Sequence, residues 1–262
     1  MSLIERIDKD QVAYIKFTSP ERLNALSDEM ISVLQAQFDS LASEKNIRVV
    51  VLSGSGKAFC AGHDLKQMSC YRQAKDGGAS YYKDLFDRCA RMMISILQLP
   101  QPVIAQVHGI ATAAGCQLVA SCDLAVAETE AKFGVNGVNI GLFCSTPMVA
   151  LSRNVPAKKA FEMLTTGQFI DAKKAESLGL INTVVSRDKL EEKTQELANT
   201  IASKLSSAVM IGKKAFYEQL MMPMDRAYSF TGDVMVRNML LRDTEEGIAA
   251  FLEKRKPNWQ ND

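Results

Sequence analysis

Two stretches of the chain share one hydrophobic pattern. Residues 102–107 (PVIAQV) are a short apolar run rich in β-branched residues, which predicts a buried strand. Small residues follow at 109–115, and then CQLVA at 116–120 predicts a short buried helix. Residues 48–54 (RVVVLSG) predict a second buried strand, which runs into the glycine- and alanine-rich turn SGKAFCAGHDL at 55–65. The remaining elements fall around these two corners. Residues 12–17 alternate apolar and polar and predict a strand. Residues 19–26 predict a loop closed by Ser27 as a helix N-cap. Met30, Val33, Leu34, Phe38 and Leu41 then recur at helical spacing, so 28–43 is an expected amphipathic helix.

Residues 70–80 (CYRQAKDGGAS) are polar, with a glycine pair, and are expected to form a mobile loop able to cover a ligand. A helix is expected over 82–97, ended by Pro100 and Pro102. Strands are expected at 124–127, starting at 131–134, and at 181–185, and a further helix begins at Pro147. Helices are expected over 157–166, 172–179 and 189–205, then over 208–220, 224–241 and 244–255 with no sheet among them. Strand, helix and strand in this order predict right-handed crossovers and a largely parallel sheet. The residues alone thus predict an α/β chain with a helical tail.

At 262 residues the chain has room for one large core and an appendage. Hydrophobic residues at 47% and charged residues at 23% are ordinary for a soluble globular protein. A formal net charge of +1 provides no field that would steer it to nucleic acid or membrane. Apolar runs stay short of the ~18 residues a membrane span needs. The opening MSLIERIDKD has neither a secretory apolar core nor the Arg/Ser-rich character of a transit peptide. A cytoplasmic location is expected, or the mitochondrial matrix if a targeting segment has been trimmed. The six cysteines match neither a zinc pattern nor a disulfide framework, and are expected to be reduced core residues.

A strand that feeds small residues into a helix start gathers unpaired backbone N–H groups and the positive end of the helix dipole at one point. Small side chains let a ligand reach that backbone, and an oxygen carrying negative charge is held well there. A tightly packed corner with no ligand is the alternative reading. Two such corners facing each other make a two-donor pocket, in which each donor contributes about 3 kcal/mol to stabilising an oxyanion transition state.

The phrases SPERLNALS, AFCAGHDL and HGIATAAGCQLVASCD occur in an order and at a spacing that resemble the crotonase (enoyl-CoA hydratase/isomerase) superfamily, and the resemblance runs from Ile4 to about Trp259. Within it, AGCQLVASCD and GVNIGLFCSTP resemble the enoyl-CoA hydratase domain-containing protein 3 type. The resemblance implies an α/β fold, a crotonase-type spiral of β-β-α turns with a C-terminal helical domain. The core would occupy 1–200 and a helical trimerisation region 201–262, in a homotrimer or dimer of trimers to which Met222, Met224 and Met235 contribute.

The resemblance also implies a substrate, an acyl-CoA thioester, with no cofactor beyond the coenzyme A of that substrate and no metal. The thioester oxygen would sit between the backbone N–H groups of His63 and Ala114. Arg22, Leu23 and Ala25 match positions that line the adenine and pyrophosphate. Ala61, His63, Asp64, Leu65 and Lys66 match the segment beside the pantetheine, and Phe251 and Lys254 match a segment closing over CoA.

The departures from the family's pattern bear most on activity. Hydratases of the family carry two glutamates, whose positions are occupied here by Gln117 and Gly137. Isomerases place a carboxylate near the position of Ser145, and LFCSTP has none. A glutamine orients a water but cannot take its proton, and general acid–base assistance is worth about 100- to 10,000-fold. Three functions are therefore expected to compete: a hydratase in name with weak or altered activity, an acyl-CoA decarboxylase or hydrolase, and a non-catalytic acyl-CoA-binding protein. Asp123 is expected to pair structurally, Asp64 to pair with a backbone N–H or an arginine, and His108 to pack. His63 is the side chain able to reach a pocket.

Overall fold

The computed structural model describes residues 2–260. The alternating and apolar runs form strands where expected. Strand β1 (Ile4–Lys9) hairpins with β2 (Val12–Phe17), and Ser27 caps helix α1 (Asp28–Leu41) by accepting from the Met30 N–H. Three strand–strand–helix turns follow. In the first, β3 (Val49–Gly54) and β4 (Ala58–Cys60) lead to α2 (Leu65–Cys70) and α3 (Ala79–Gln98). In the second, β5 (Val103–Val107) and β6 (Ile110–Thr112) lead to α4 (Ala114–Ser121). In the third, β7 (Leu124–Glu128) and β8 (Lys132–Gly134) lead to α5 (Pro147–Asn154).

Helix α6 (Ala157–Thr166), β9 (Ile170–Asp171), α7 (Ala172–Ser177), β10 (Thr183–Val185) and α8 (Leu190–Ala202) complete the body. The tail is α9 (Ser206–Gln219), α10 (Met224–Met239) and α11 (Arg242–Leu252). The first strand of each turn enters one sheet, of order β1-β2-β3-β5-β7-β10 and parallel beyond the β1–β2 hairpin. The second strand of each enters a smaller sheet, β4-β6-β8-β9. This is the β-β-α spiral.

The central strands β3, β5 and β7 are buried on both faces, which explains their continuous apolar runs. Ala13, Ile15, Val50, Leu52 and Ala105 face the main core with α1, α3 and α4. Val12, Val49, Val51, Ile104 and Val126 face α8. Helix α4 is buried along its whole length.

Several expectations need correction. β1, β4, β6 and β9 stand where no strand was expected, three of them only two or three residues long. Residues 70–80 are not an open loop. Helix α2 ends at Cys70, a 3-10 turn spans Tyr71–Gln73, and α3 begins at Ala79. Tyr71 stacks on Tyr81, with ring centres 3.5 Å apart. Five cysteines are buried as expected, but Cys70 is exposed.

Asp123 locks the tail to the body. Its carboxylate accepts from Lys213 Nζ at 2.7 Å, Tyr217 Oη at 2.8 Å and the Val103 N–H at 2.6 Å. Lys213 also donates to the carbonyls of Ile96 and Gln101. His108 is buried, with Nε2 3.1 Å from the Gly56 carbonyl.

Candidate functional site

The two glycine-rich corners pack against each other. A Cβ placed on Gly62, where φ is +87°, would lie 3.0 Å from Ala113 Cβ and 3.1 Å from the backbone N of Ala114. A Cβ on Gly115 would lie 2.0 Å from the Cys60 carbonyl oxygen, so only glycine fits there. The segment 61–63 is tied on its other side by Leu26, whose N–H donates to the Gly62 carbonyl at 2.7 Å. Ala113 holds φ +49°, a left-handed value that costs a non-glycine residue about 1–3 kcal/mol and persists only where packing imposes it. Its N–H donates to the Gly134 carbonyl, and α4 begins at the next residue. Among the described residues, neither the His63 N–H nor the Ala114 N–H has a hydrogen-bond partner.

Both residues line one cavity of about 390 Å³. Its apolar wall is built mainly by Leu65, Met68, Phe86, Ile140, Leu142 and Phe143. Ala61, Thr112, Asn136, Gly137 and Ser145 also line it, and among the described residues no carboxylate, lysine or arginine does. A wider groove of about 490 Å³ lies on the α8 face of the large sheet, between charged side chains such as Lys16, Arg187 and Glu191. It contains neither His63 nor Ala114, so the smaller, apolar cavity is the one joined to the two corners.

The His63 ring is the basic side chain of this cavity. Nδ1 lies 3.4 Å from the Leu26 carbonyl, an acceptor, so the proton sits on Nδ1 and the lone pair on Nε2. Nε2 is buried without a partner, and Phe86 meets the ring edge-on at 5.5 Å. Burial pushes the imidazole pKa below its usual value, opposed by the Leu26 carbonyl and the Asp28 carboxylate and reinforced by Arg88. Asp28 is itself paired with Arg88 and accepts from Tyr81 Oη at 3.1 Å. The ring is therefore neutral at ordinary pH.

Gln117 is buried on α4 and its Oε1 has no partner, but it does not line the cavity. Gly137 does, and its α-carbon is walled in. A Cβ there would lie 2.4 Å from the Leu142 carbonyl oxygen and 2.9 Å from Cys144 Sγ. Ser145 Oγ makes a long contact, 3.4 Å, to the Phe143 carbonyl. Burial raises the Cys144 thiol pKa and pushes that of Cys116 up to about 12, so neither is a thiolate nucleophile.

The other expected residues divide. Ala61 and Leu65 reach the cavity, and the Ala61 N–H donates to the Leu23 carbonyl at 3.0 Å. Asp64 caps α2 through the Lys66 and Gln67 N–H groups and lies 3.4 Å from Arg22 Nη1. Ala25 is half-buried beside this strip, while Arg22, Leu23 and Lys66 are exposed. Phe251 and Lys254 are not brought to the cavity: Phe251 is exposed on α11 and Lys254 lies just beyond it. Thr112, Asn136, Met68 and Phe86 were not expected at the site. Thr112 falls inside the 108–123 phrase without being singled out by it, and no motif marks Asn136, Met68 or Phe86, which the fold brings to the cavity wall.

The family model described as "Enoyl-CoA hydratase/isomerase" matches residues 8–262. The human "Enoyl-CoA hydratase domain-containing protein 3, mitochondrial" is 45% identical over 253 residues, which is 97% of this chain and 82% of that protein. A putative enoyl-CoA hydratase of Thermus thermophilus is 34% identical, over 97% of this chain and 99% of that protein. Among solved structures, an enoyl-CoA hydratase of Mycobacterium smegmatis superposes with a TM-score of 0.95 at 48% identity, covering 99% of both chains. The human domain-containing protein 3 superposes with a TM-score of 0.94 at 44% identity, over 98% of this chain and all of that one.

Proposed function

The chain belongs to the enoyl-CoA hydratase/isomerase family, and from that premise we propose that it binds an acyl-CoA thioester with the thioester oxygen between the N–H groups of His63 and Ala114. One observation carries this reading: two neighbouring amides without partners belong to residues of the same apolar cavity. An enolate gathers negative charge on that oxygen, so the pocket stabilises the charged state more than the ground state. In this reading the strip from Arg22 to Ala25 and from Ala61 to Lys66 carries the CoA portion. Phe251 and Lys254 close over CoA through a further movement of the tail or from a neighbouring subunit.

Ordinary hydration is not what the site supports. It needs a base for the water and an acid for the α carbon, whereas Gln117 cannot ionise and Gly137 has no side chain. The blocked space around Gly137 favours a second reading, decarboxylation of a malonyl-type thioester. There the bond between the α carbon and the carboxylate breaks, CO₂ leaves, and the electron pair becomes the enolate held by the two amides. A water proton then adds to the α carbon. No base is needed to start this sequence. A binding protein without turnover is the remaining alternative.

The proposed assembly is a trimer or pair of trimers formed through residues 201–262. The proposed compartment is a reducing one, either the cytosol or, as the word mitochondrial in the human relative's name supports, the mitochondrial matrix.

Calorimetry with butyryl-CoA, together with mass spectrometry of crotonyl-CoA and malonyl-CoA incubations, tests these readings. Binding of butyryl-CoA, with crotonyl-CoA hydrated no faster than in buffer, is the expected result. Loss of CO₂ from malonyl-CoA would select the second reading. Absence of any acyl-CoA binding would sink the proposal.

A further inference from the structure

We propose that Asn136 is a specificity-determining hydrogen-bond donor that recognises an oxygen on the β carbon of the bound acyl group. The proposal rests on the acyl-CoA reading of the same cavity. Its basis is a side-chain pair that no sequence motif announces. Thr112 Oγ1 and Asn136 Oδ1 are 2.6 Å apart, although 24 residues separate them. That distance is typical of O–H···O and short for N–H···O, so the threonine hydroxyl donates and the amide oxygen accepts. The orientation of the carboxamide follows: its oxygen is occupied by Thr112, and its NH₂ group is left with two hydrogens. No partner for that NH₂ exists among the described residues, and it is not among the sealed polar atoms. Asn136 is half-buried and lines the cavity, and in the proposed reading this accessible donor meets the bound acyl group.

Position makes it a reader of the first acyl carbons. Thr112 pairs with Gly134 in the small sheet, and the Ala113 N–H donates to the Gly134 carbonyl. Asn136 thus stands two residues beyond the strand that braces the Ala114 corner, and it immediately precedes Gly137. Asn136, Leu142 and Phe143 line the same cavity as Ala114, so an acyl chain whose thioester oxygen meets the Ala114 N–H extends among them. An unpaired amide donor facing an alkyl chain loses its water and gains nothing, whereas an oxygen at the β carbon satisfies it. The shared chemistry is a β-oxygen acceptor, whether keto, hydroxyl or carboxylate. No lysine or arginine lines the cavity, so a carboxylate would be held by this amide without a countercharge.

The test is a calorimetric panel of butyryl-, acetoacetyl-, 3-hydroxybutyryl- and malonyl-CoA against the full chain and three variants. Wild type is expected to bind acetoacetyl- and 3-hydroxybutyryl-CoA about fivefold tighter than butyryl-CoA, the ratio one net hydrogen bond provides, and malonyl-CoA with a smaller gain because its carboxylate has no countercharge. Asn136→Leu should bring that ratio close to one. Thr112→Val, which frees the amide to rotate, should bring it part of the way. Asn136→Asp keeps the shape but replaces the donor with a negative charge, so malonyl-CoA should lose more affinity than with Asn136→Leu. Thermal unfolding of each variant verifies that it is folded. Equal binding of all four esters by wild type, or undiminished discrimination by Asn136→Leu, overturns the proposal while leaving the acyl-CoA reading intact. Binding of none of the four overturns both.

Discussion

At the scale of the residue, a glycine decides which chemistry the cavity does not support. Gly137 stands where the sequence resemblance leads one to expect a hydratase's acid, and the space around it is closed to any side chain. The Leu142 carbonyl and Cys144 thiol occupy the space that any Cβ would need. Gly137→Glu is therefore expected to give no gain in crotonyl-CoA hydration, even combined with Gln117→Glu. Overpacking of this kind typically costs about 1–3 kcal/mol, and a carboxylate placed among apolar walls adds to that. Steady-state hydration assays and urea unfolding check both parts, and a double variant that is stable and hydrates crotonyl-CoA would contradict the geometry. The same steric reasoning makes Gly115 essential, because the Cys60 carbonyl lies where its side chain would begin.

At the scale of the element, the helical tail is coupled to the β-β-α body through one polar cluster. Lys213 on α9 reaches the Asp123 carboxylate, the Ile96 carbonyl on α3 and the Gln101 carbonyl just before β5, and Tyr217 one turn later bonds the other carboxylate oxygen. Burial holds the Lys213 pKa below its usual value, against the opposing attraction of the Asp123 carboxylate. Removing one member strands the other in a dry environment, which typically costs about 3–5 kcal/mol. Lys213→Met is accordingly expected to lower unfolding free energy by about 3 kcal/mol and to quicken proteolysis within 206–252. Lys213→Met with Asp123→Asn should recover part of the loss. Urea titration and limited proteolysis measure this, and an unchanged midpoint would show that α9 is held by its apolar contacts alone.

At the scale of the whole molecule, the tail shows apolar side chains to its surroundings. Met224 and Tyr228 on α10, Leu240 just beyond it, and Phe251 and Leu252 on α11 are each at least 73% exposed. Isolated exposed apolar residues are common, but five such side chains within residues 224–252 support the proposed assembly through this tail. Sedimentation is expected to give a species heavier than the 28.8 kDa chain. Tyr228→Glu with Leu240→Glu should shift it toward the monomer with helix content retained. Sedimentation of wild type as a monomer would refute this expectation.

What the sequence determined by itself was the order of elements and the two corners. β-branched runs, helical spacing and clustered small residues are local properties, and burial acts on them wherever the chain goes. Helices α1, α4 and α6, strands β2, β3 and β5, and the Gly62 and Gly115 turns were legible for that reason. Tertiary structure alone decided the rest. Strands as short as β4, β6 and β9 carry no readable period and exist only because a neighbour pairs with them. The Thr112–Asn136 pair and the tautomer of His63 depend on atoms 24 and 37 residues apart in sequence coming within a few ångströms. Apolar periodicity reports that a face is buried, but only packing selects what it is buried against.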